Sequence, residues 1–329
     1  MSSPFQFIKF KKNMKASLKN ILVPIDLKES SLNALRYAID IAKRINGNIF
    51  LLHVIRTGDF WTRFLQDNNE FVKIIEKAKE DLDKIAEEYS KQYDVNIETS
   101  VEGGKPYKII LEISNKLKAR FIVIGDNDYP TPVKEELGST IYHVVINSCI
   151  PVITVKGNKK RSIGDKVLVP LDLTVRSSKQ VFSALALGIN YKISIYLVSA
   201  LIGGVKIAKS RIYKKLRVVQ KTMQDNNIPC TYKLYERSEV APHQRVLEYA
   251  KEIDADLILI MTHQEGFTHD NYIGAFAHHI INQSDRPVLS LTSTACEIKQ
   301  DELMKNVVDP LGIFLGKPGR MKWFGGHEL

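Results

Sequence analysis

The sequence predicts an α/β protein of two tandem, doubly wound domains, each with a five-stranded parallel sheet. Short apolar runs typical of buried parallel strands alternate with segments of helical periodicity. This succession of elements occurs twice along the chain, and 329 residues suffice for two domains of ordinary size. We therefore expect one fold that has been duplicated.

The duplication is visible in the residues themselves. Three pairs of segments correspond: 20–42 with 166–188, 119–126 with 255–262, and 150–155 with 286–291. The spacing is 146 residues for the first pair and 136 for the other two. The second copy is therefore expected to lack about ten residues between its first and fourth strands. A period of this length indicates tandem domains rather than a solenoid.

Each element of the first copy follows from a local pattern. ILVPID is a buried strand that stops in a polar turn, and Ser30 and Ser31 precede LNALRYAIDIAKRI, whose apolar residues recur at helical spacing. Asn46 and Gly47 end that helix. The further predicted elements are the strand 49–54, the helix 71–93, the strand 95–102, a helix opened by Pro106, the strand 121–126, the helix 138–147 and the strand PVITV.

The second copy repeats this order. Its predicted strands are VLVPLD, ISIYLVSA, CTYKLYE, LILIMT and PVLSL. Its second helix is strongly basic, and the inner apolar stripe of that helix is expected to be Ile212, Leu216, Val219 and Met223. We divide the chain into a basic N-terminal arm (1–17), domain 1 (18–157), a linker (158–165), domain 2 (166–295) and a C-terminal tail (296–329).

The formal net charge of +10 is concentrated in one region. Residues 157–295 contain 19 basic and 12 acidic residues, and 206–221 contain seven basic residues and no acid. Such a cluster attracts nucleic acid, anionic lipid or an acidic protein, whereas the alternative is a solvated helix face. Nucleic acid is disfavoured because no recognition fold is visible and few aromatic residues are interleaved. We expect a protein partner, contacted by Lys214, Lys215 and Arg217.

Composition also predicts the location of the protein. No apolar run is long enough for a transmembrane helix, and the N-terminus lacks the apolar core of a secretory signal. The three cysteines, Cys149, Cys230 and Cys296, are far apart, which argues against a disulfide framework and a cysteine-based zinc site. These features predict a cytoplasmic protein without a resident metal.

Both halves resemble universal stress protein domains, so the chain is similar to a tandem, degenerate member of that family. The resemblance rests on V-P-[IL]-D in the first strand of each half, on His53-Val54, and on GDNDYPTPVKEELGST at 125–140. Nucleotide-binding members of the family have G-x-x-G, nine residues and G-[ST] at the last of these positions. The resemblance implies a Rossmann-like fold of the adenine nucleotide alpha hydrolase type.

The resemblance also implies an ATP site in domain 1, with Mg²⁺ accompanying the nucleotide. The implied contacts are Pro24, Asp26, Val54, Gly125, Gly138, Ser139 and Thr140. Asp128 replaces the second glycine, and together with Asp126 it adds negative charge that Mg²⁺, Lys28 or Lys134 would have to offset. The alternative is a degenerate loop that only caps the sheet.

Domain 2 departs further from the family pattern. Met261, Gln264 and Ala275 replace the first glycine, the second glycine and the hydroxyl residue, although Asp172 and Val198 are kept. ATP is therefore expected in domain 1 alone. In the family the domains commonly pair through their fifth strands, which implies an intramolecular pseudo-dimer of PVITV and PVLSL.

The sequence thus favours a non-catalytic, stress-response regulatory protein in which ATP binding in domain 1 is coupled to a protein partner. No nucleophile elbow, complete P-loop or spaced carboxylate pair is visible, so an ATPase has the least support. The alternative is an interaction subunit with vestigial pockets, which docks through the basic helix and through Trp323 and Phe324 of the tail. The tail also fits a segment that packs back on a domain, and further homodimerisation is left open.

Overall fold

In the computed structural model the described part of the chain forms one continuous ten-stranded sheet with helices on both faces. The structure describes residues 19–56, 68–126, 138–156, 162–172, 177–200, 210–236, 239–262 and 274–292. The predicted N-terminal arm and C-terminal tail, including Trp323 and Phe324, lie outside these residues, as do Asp128 and Lys134. The predicted α/β class and the duplicated fold are confirmed.

The helices and strands have the following bounds. Domain 1 consists of β1 (Asn20–Pro24), α1 (Glu29–Ile45), β2 (Asn48–Arg56), α2 (Asn68–Tyr93), β3 (Ile97–Gly104), α3 (Pro106–Lys116), β4 (Phe121–Asp126), α4 (Ser139–Asn147) and β5 (Val152–Lys156). Domain 2 consists of β6 (Lys166–Pro170), α5 (Ser177–Tyr191), β7 (Ser194–Ala200), α6 (Arg211–Asp225), β8 (Cys230–Tyr235), α7 (Pro242–Glu252), β9 (Leu257–Met261), α8 (Ala275–Gln283) and β10 (Val288–Leu291).

The strand order is β3-β2-β1-β4-β5-β10-β9-β6-β7-β8. All pairs within a domain are parallel, whereas β5 and β10 are antiparallel, with Ile153 opposite Leu289. The expected pseudo-dimer through the fifth strands is therefore present. The order reverses between β1 and β4, and again between β6 and β9, and such switch points are where doubly wound sheets bind ligands.

Two apolar layers cover the sheet, one on each face. One layer packs under α1, α2, α5 and α6, and the other under α3, α4, α7 and α8. The predicted inner stripe of α6, Ile212, Leu216, Val219 and Met223, is buried in the first layer. Because both faces are covered, the strands are continuous apolar runs rather than alternating ones. Among the helices described, none is long and apolar enough to cross a membrane.

The change in repeat spacing has a simple cause. Helix α2 has 26 residues, whereas its counterpart α6 has 15. Helix α6 begins at Arg211, and the Ser210 hydroxyl caps it by accepting a hydrogen bond from the backbone N–H of Tyr213 (3.2 Å). The basic helix predicted over 206–221 therefore starts later than expected, and residues 206–209 lie outside the described residues.

The start of α1 also differs from the prediction. The helix begins at Glu29, so Ser30 and Ser31 are buried in its first turn instead of preceding it. The Ser31 hydroxyl donates to the carbonyl oxygen of Lys28 (2.8 Å) and accepts from the backbone N–H of Asp26 (3.3 Å). These bonds draw the β1–α1 connection into a tight turn.

Cys230 is a buried free thiol on β8, and burial raises its pKa to about 12. Cys230 is therefore protonated and unreactive at neutral pH.

Side chains tie the two domains together beside the β5–β10 pair. The Lys156 ammonium at the end of β5 donates to the carbonyl oxygen of Asn282 in the last turn of α8. At the equivalent place after β10, the Thr292 hydroxyl donates to the carbonyl oxygen of Ser148. The two donors occupy equivalent positions of the duplication, although their acceptors do not, and each contact joins the end of a fifth strand to the other domain.

Candidate functional site

The candidate site lies at the carboxyl ends of β1 and β4, at the switch point of domain 1. Pro24 ends β1 and is buried, and the chain continues through Ile25, whose backbone N–H donates to the carbonyl oxygen of Leu52 (2.9 Å). The Nδ1 atom of His53 lies 2.8 Å from the carbonyl oxygen of Ile25, which places the ring proton on Nδ1. The end of β2, with half-buried Val54, is thus fastened to the loop that carries Asp26.

Asp26 is exposed at this edge and is already partly neutralised. Its carboxylate accepts from the backbone N–H of Lys28 (3.1 Å), and the Lys28 ammonium lies 3.7 Å from the other carboxylate oxygen. Between them, Leu27 has φ of +65°, a left-handed conformation that a leucine adopts only when its surroundings impose it. The sequence suggested Lys28 or Lys134 as compensation for Asp126 and Asp128; among the described residues, Lys28 is paired with Asp26.

Gly125, the first glycine of the motif, is needed for packing. A Cβ atom built there would lie 2.3 Å from the carbonyl oxygen of Ser30 and 2.8 Å from the backbone nitrogen of Ser31. No other residue type fits without moving α1 away from β4. The close approach that this glycine permits is therefore between two parts of the backbone, whereas the motif predicted an approach to phosphate.

Gly138, the last glycine of the motif, is in a different situation. It is exposed and is the N-cap of α4, and no side chain caps that helix. Among the described residues, the only atom within 4 Å of a Cβ built on Gly138 is Cδ1 of Ile141, at 3.9 Å. Its φ of −54° suits any residue. No described residue therefore demands the absence of a side chain at Gly138.

Arg56 is a residue of the site that the sequence reasoning missed. It is the last residue of β2, and its guanidinium donates to the Thr140 hydroxyl in the first turn of α4 (3.4 Å). This contact brings an exposed cation to the helix start that carries Gly138 and exposed Ser139. The only signal in the sequence was its position two residues after Val54.

Asp126 is buried directly after Gly125 and has a lysine beside it. Its carboxylate lies 3.5 Å from the Lys156 ammonium, the same group that donates to Asn282 of domain 2. The cation that offsets Asp126 is therefore Lys156, which the sequence analysis did not consider. In the part of the chain that the structure describes, no group of three or more His, Cys, Asp or Glu could hold a metal ion.

One further acid flanks the site. Glu102 on β3 is in register with Val54 and is half-buried. Burial raises the pKa of Glu102, and a hydrogen bond from the Ser100 hydroxyl (2.8 Å) opposes that shift.

The corresponding edge of domain 2 is filled by its own side chains. The Lys215 ammonium donates to the carbonyl oxygen of Asp172 (2.7 Å), and burial lowers the pKa of Lys215 while the Asp172 charge raises it. The buried amide of Gln180 donates to Pro170 and Leu259 across the β6–β9 switch point. Lys215, predicted as a partner contact, is thus half-buried and turned toward Asp172 at the carboxyl edge of the sheet.

The exposed side of α6 is a second candidate surface. We call Arg211, Lys214, Arg217 and Lys221 the α6 basic face; all four are exposed, and none is ion-paired among the described residues. Val218, 47% exposed, lies among them. On α2, by contrast, lysines are paired with acids along the helix, as in Lys79–Asp83, Lys84–Asp81 and Lys91–Glu87. The predicted contacts Lys214 and Arg217 belong to this face.

The different roles of Gly125 and Gly138 predict different effects of alanine substitution on the free energy of unfolding. Gly125→Ala is expected to lower the free energy of unfolding by about 2 kcal/mol or more, because its Cβ collides with backbone of α1. Gly138→Ala, the matched control, removes at most about 1 kcal/mol through weaker capping. Urea denaturation followed by circular dichroism measures both, and equal effects would contradict the assignment.

The Asp126–Lys156 pair makes a separate prediction. Lys156→Met leaves a buried carboxylate without its cation, so we expect about 2–4 kcal/mol of destabilisation. Lys116→Met is the control because its partner Glu112 and Lys116 itself are about half exposed, and such a pair contributes less than about 1 kcal/mol. If denaturation shows similar losses for the two variants, Lys156 does not compensate Asp126.

Comparison with known proteins agrees with this architecture. A family model described as the universal stress protein family matches residues 17–156 and 217–291. A universal stress protein of Methanocaldococcus jannaschii is 30% identical over 144 residues, which are 43% of this chain and 84% of that protein.

Solved structures show the same tandem fold. A universal stress protein from Archaeoglobus fulgidus superposes with a TM-score of 0.67 at 23% identity, covering 84% of this chain and 99% of that one. A putative universal stress protein from Pseudomonas aeruginosa gives 0.59 at 17% identity, with 90% and 98% covered. The family match covers more than half of the chain, and this protein therefore belongs to the universal stress protein family.

Proposed function

We propose that domain 1 binds ATP with Mg²⁺ at the carboxyl edge of β1 and β4, and that the protein is a non-catalytic, cytoplasmic regulator. The resemblance assigns Asp26 to the adenine and ribose, Val54 to the base and the start of α4 to the phosphates. The backbone N–H groups at a helix start and the Arg56 cation favour an anion there. Mg²⁺ would arrive with the phosphates.

The observation that carries the proposal is that no described residue except Ile141 lies within 4 Å of a Cβ built on Gly138. A fold that only capped the sheet would tolerate a side chain at this N-cap, and the usual capping residues would stabilise the helix. Gly138 instead leaves the helix start uncapped and exposed, next to Thr140 and Arg56. Domain 2 also has a glycine N-cap, Gly274 of α8, but that glycine is buried, and Lys215 and Gln180 lie at the switch point of that domain. We therefore propose one nucleotide per chain.

Calorimetric titration of the full-length protein with ATP and Mg²⁺ tests this proposal. We expect one site per chain, and Gly138→Val is expected to weaken binding at least about tenfold, because its side chain fills the space in front of α4. Ala275→Val, at the exposed first residue of α8, is the matched control and should bind as the wild type does.

Each possible result of the titration distinguishes between the proposed nucleotide site and its alternatives. Unchanged affinity in Gly138→Val, with the fold intact by circular dichroism, would show that the nucleotide binds elsewhere. Two sites per chain would show that domain 2 also binds. Absence of binding by the wild type would leave the interaction subunit as the function to pursue.

The second candidate is that interaction subunit, and the unpaired α6 basic face favours it. Under this proposal an acidic protein segment binds the face by charge complementarity. Docking of a partner on Trp323 and Phe324 of the tail stays a prediction, because both residues lie outside the described part of the chain.

Charge reversal tests the face. Lys214→Glu with Arg217→Glu is expected to abolish binding of a fluorescent acidic peptide, and added salt should weaken wild-type binding steeply. Lys73→Glu with Lys77→Glu, on the exposed side of α2, is the control. Equal loss in the two double variants, measured by fluorescence anisotropy, would mean that net charge rather than this face binds the peptide.

A further inference from the structure

Two histidine rings are stacked between α7 and α8 of domain 2. The rings of His243, in the first turn of α7, and His279 of α8 have centroids 4.3 Å apart and planes inclined by 16°. His278 approaches His279 edge to face, with ring centroids 6.0 Å apart. All three side chains are half-buried, so the contact between these helices includes imidazole rings packed against one another.

Domain 1 has the same contact with different chemistry. At the equivalent positions of α3 and α4, the Tyr107 ring is stacked on His143 with centroids 4.5 Å apart, and Tyr142 meets His143 edge to face. Tyrosine thus stands where domain 2 has His243 and His278. A phenol carries no charge in acid, so two adjacent cations can arise in domain 2 and cannot arise in domain 1.

Two features of the fold oppose a positive charge on His243. It is the second residue of α7, after Pro242, and the N-terminal end of a helix disfavours cations. Burial lowers the pKa of His243, and the neighbouring His279 lowers it further. The folded domain therefore keeps this imidazole neutral down to a lower pH than the unfolded chain does.

The charged groups around the pair are engaged elsewhere or lie at a distance along the helix. On and beside α7 they are Glu239, which precedes the helix, Lys251 in its last turn, and the ion pairs Arg245–Glu248 and Lys233–Glu252. Helix α8 has no acid and no base other than its two histidines, and β7, on which α7 packs, has Tyr196 as its single ionisable residue. The Gln283 amide lies 3.5 Å from Nδ1 of His279 and can donate to that nitrogen only while it carries no proton.

We propose that the stacked His243–His279 pair is an acid-sensitive contact that loosens α7 from α8, so that domain 2 responds to mild acidification and domain 1 does not. Imidazole is the side-chain group whose charge ordinarily changes between about pH 5 and 8. Once both rings carry a proton, two like charges lie 4.3 Å apart in a half-buried contact and repel each other. The last turn of α8 also holds Lys156 of domain 1 through the carbonyl oxygen of Asn282, so loosening of α8 weakens a contact between the domains.

The direction of the pH dependence follows from the protons bound in each state. Between its ordinary pKa of about 6.5 and its lower value in the folded domain, His243 is protonated in the unfolded chain and neutral in the folded one. Unfolding therefore takes up a proton in this range. The stability that the neutral ring contributes is complete above about pH 6.5 and is lost as the pH falls through the lower, folded-state pKa.

Hydrogen exchange of the full-length protein, followed by mass spectrometry at about pH 7.5 and 5.5 and corrected for intrinsic exchange rates, tests the proposal. At the lower pH we expect the protection of α7 and α8 to fall about three- to tenfold relative to that of α3 and α4. His243→Tyr gives domain 2 the residue of domain 1 and should remove this difference. His143→Tyr, the matched control, removes a histidine that is stacked on a tyrosine and should leave the difference unchanged.

Further variants extend the test. His279→Tyr breaks the pair from α8 and should also remove the difference, so the test stands if one of the two variants does not fold. Tyr107→His builds the pair into domain 1, and α3 and α4 should then lose protection in acid as α7 and α8 do. In NMR titrations the pKa of His243 should be higher in His279→Tyr than in the wild type. Gly138→Val should respond to acid as the wild type does, which separates this proposal from the nucleotide site.

Three results would overturn the proposal. Equal loss of protection in the two pairs of helices of the wild type would show that domain 2 has no acid sensitivity of its own. A difference that persists in both His243→Tyr and His279→Tyr would assign the sensitivity to other groups. The same pKa for His243 in the wild type and in His279→Tyr would show that the two rings do not repel each other.

Discussion

The antiparallel pairing of β5 with β10 is the interaction on which the rest of the structure depends. Without it each fifth strand would be an edge strand with unpaired backbone groups and an apolar face open to water. With it the two sheets become one, and among the described strands only β3 and β8 remain as edges. Lys156 and Thr292 reinforce the pairing by crossing to the other domain where each fifth strand ends.

The pairing also connects features that are distant in the sequence. Lys156 contacts both buried Asp126, next to the candidate site of domain 1, and the last turn of α8 in domain 2. The equivalent position to Asp126 in domain 2 is Thr262, which is buried and bonded to Leu291 of the neighbouring strand. The two domains therefore differ at their common boundary, because domain 1 has the Asp126–Lys156 ion pair where domain 2 has a neutral hydrogen bond of Thr262.

Duplication has preserved the backbone of the two domains and changed the chemistry at their carboxyl edges. Domain 1 presents an exposed Asp26, an uncapped α4 and Arg56. Domain 2 directs Lys215 and Gln180 into the same region. Since a parallel sheet is held by its buried strands and not by its loops, these edges were free to diverge without loss of the fold.

The sequence by itself determined the fold class, the duplication and the inner stripe of α6, because these depend on apolar periodicity and repeated segments. It misplaced the starts of α1 and α6, since Ser30 and Ser31 are drawn into the first turn by hydrogen bonds and Ser210 sets the cap. A sequence motif shows that a glycine is present but not why it is needed. The structure shows that Gly125 allows close packing against α1, whereas a side chain at Gly138 would meet almost no described atom. The Asp126–Lys156 pair, the turn of Lys215 toward Asp172 and the stacking of His243 on His279 were likewise decided by tertiary structure, because each joins residues that only the folded chain brings together.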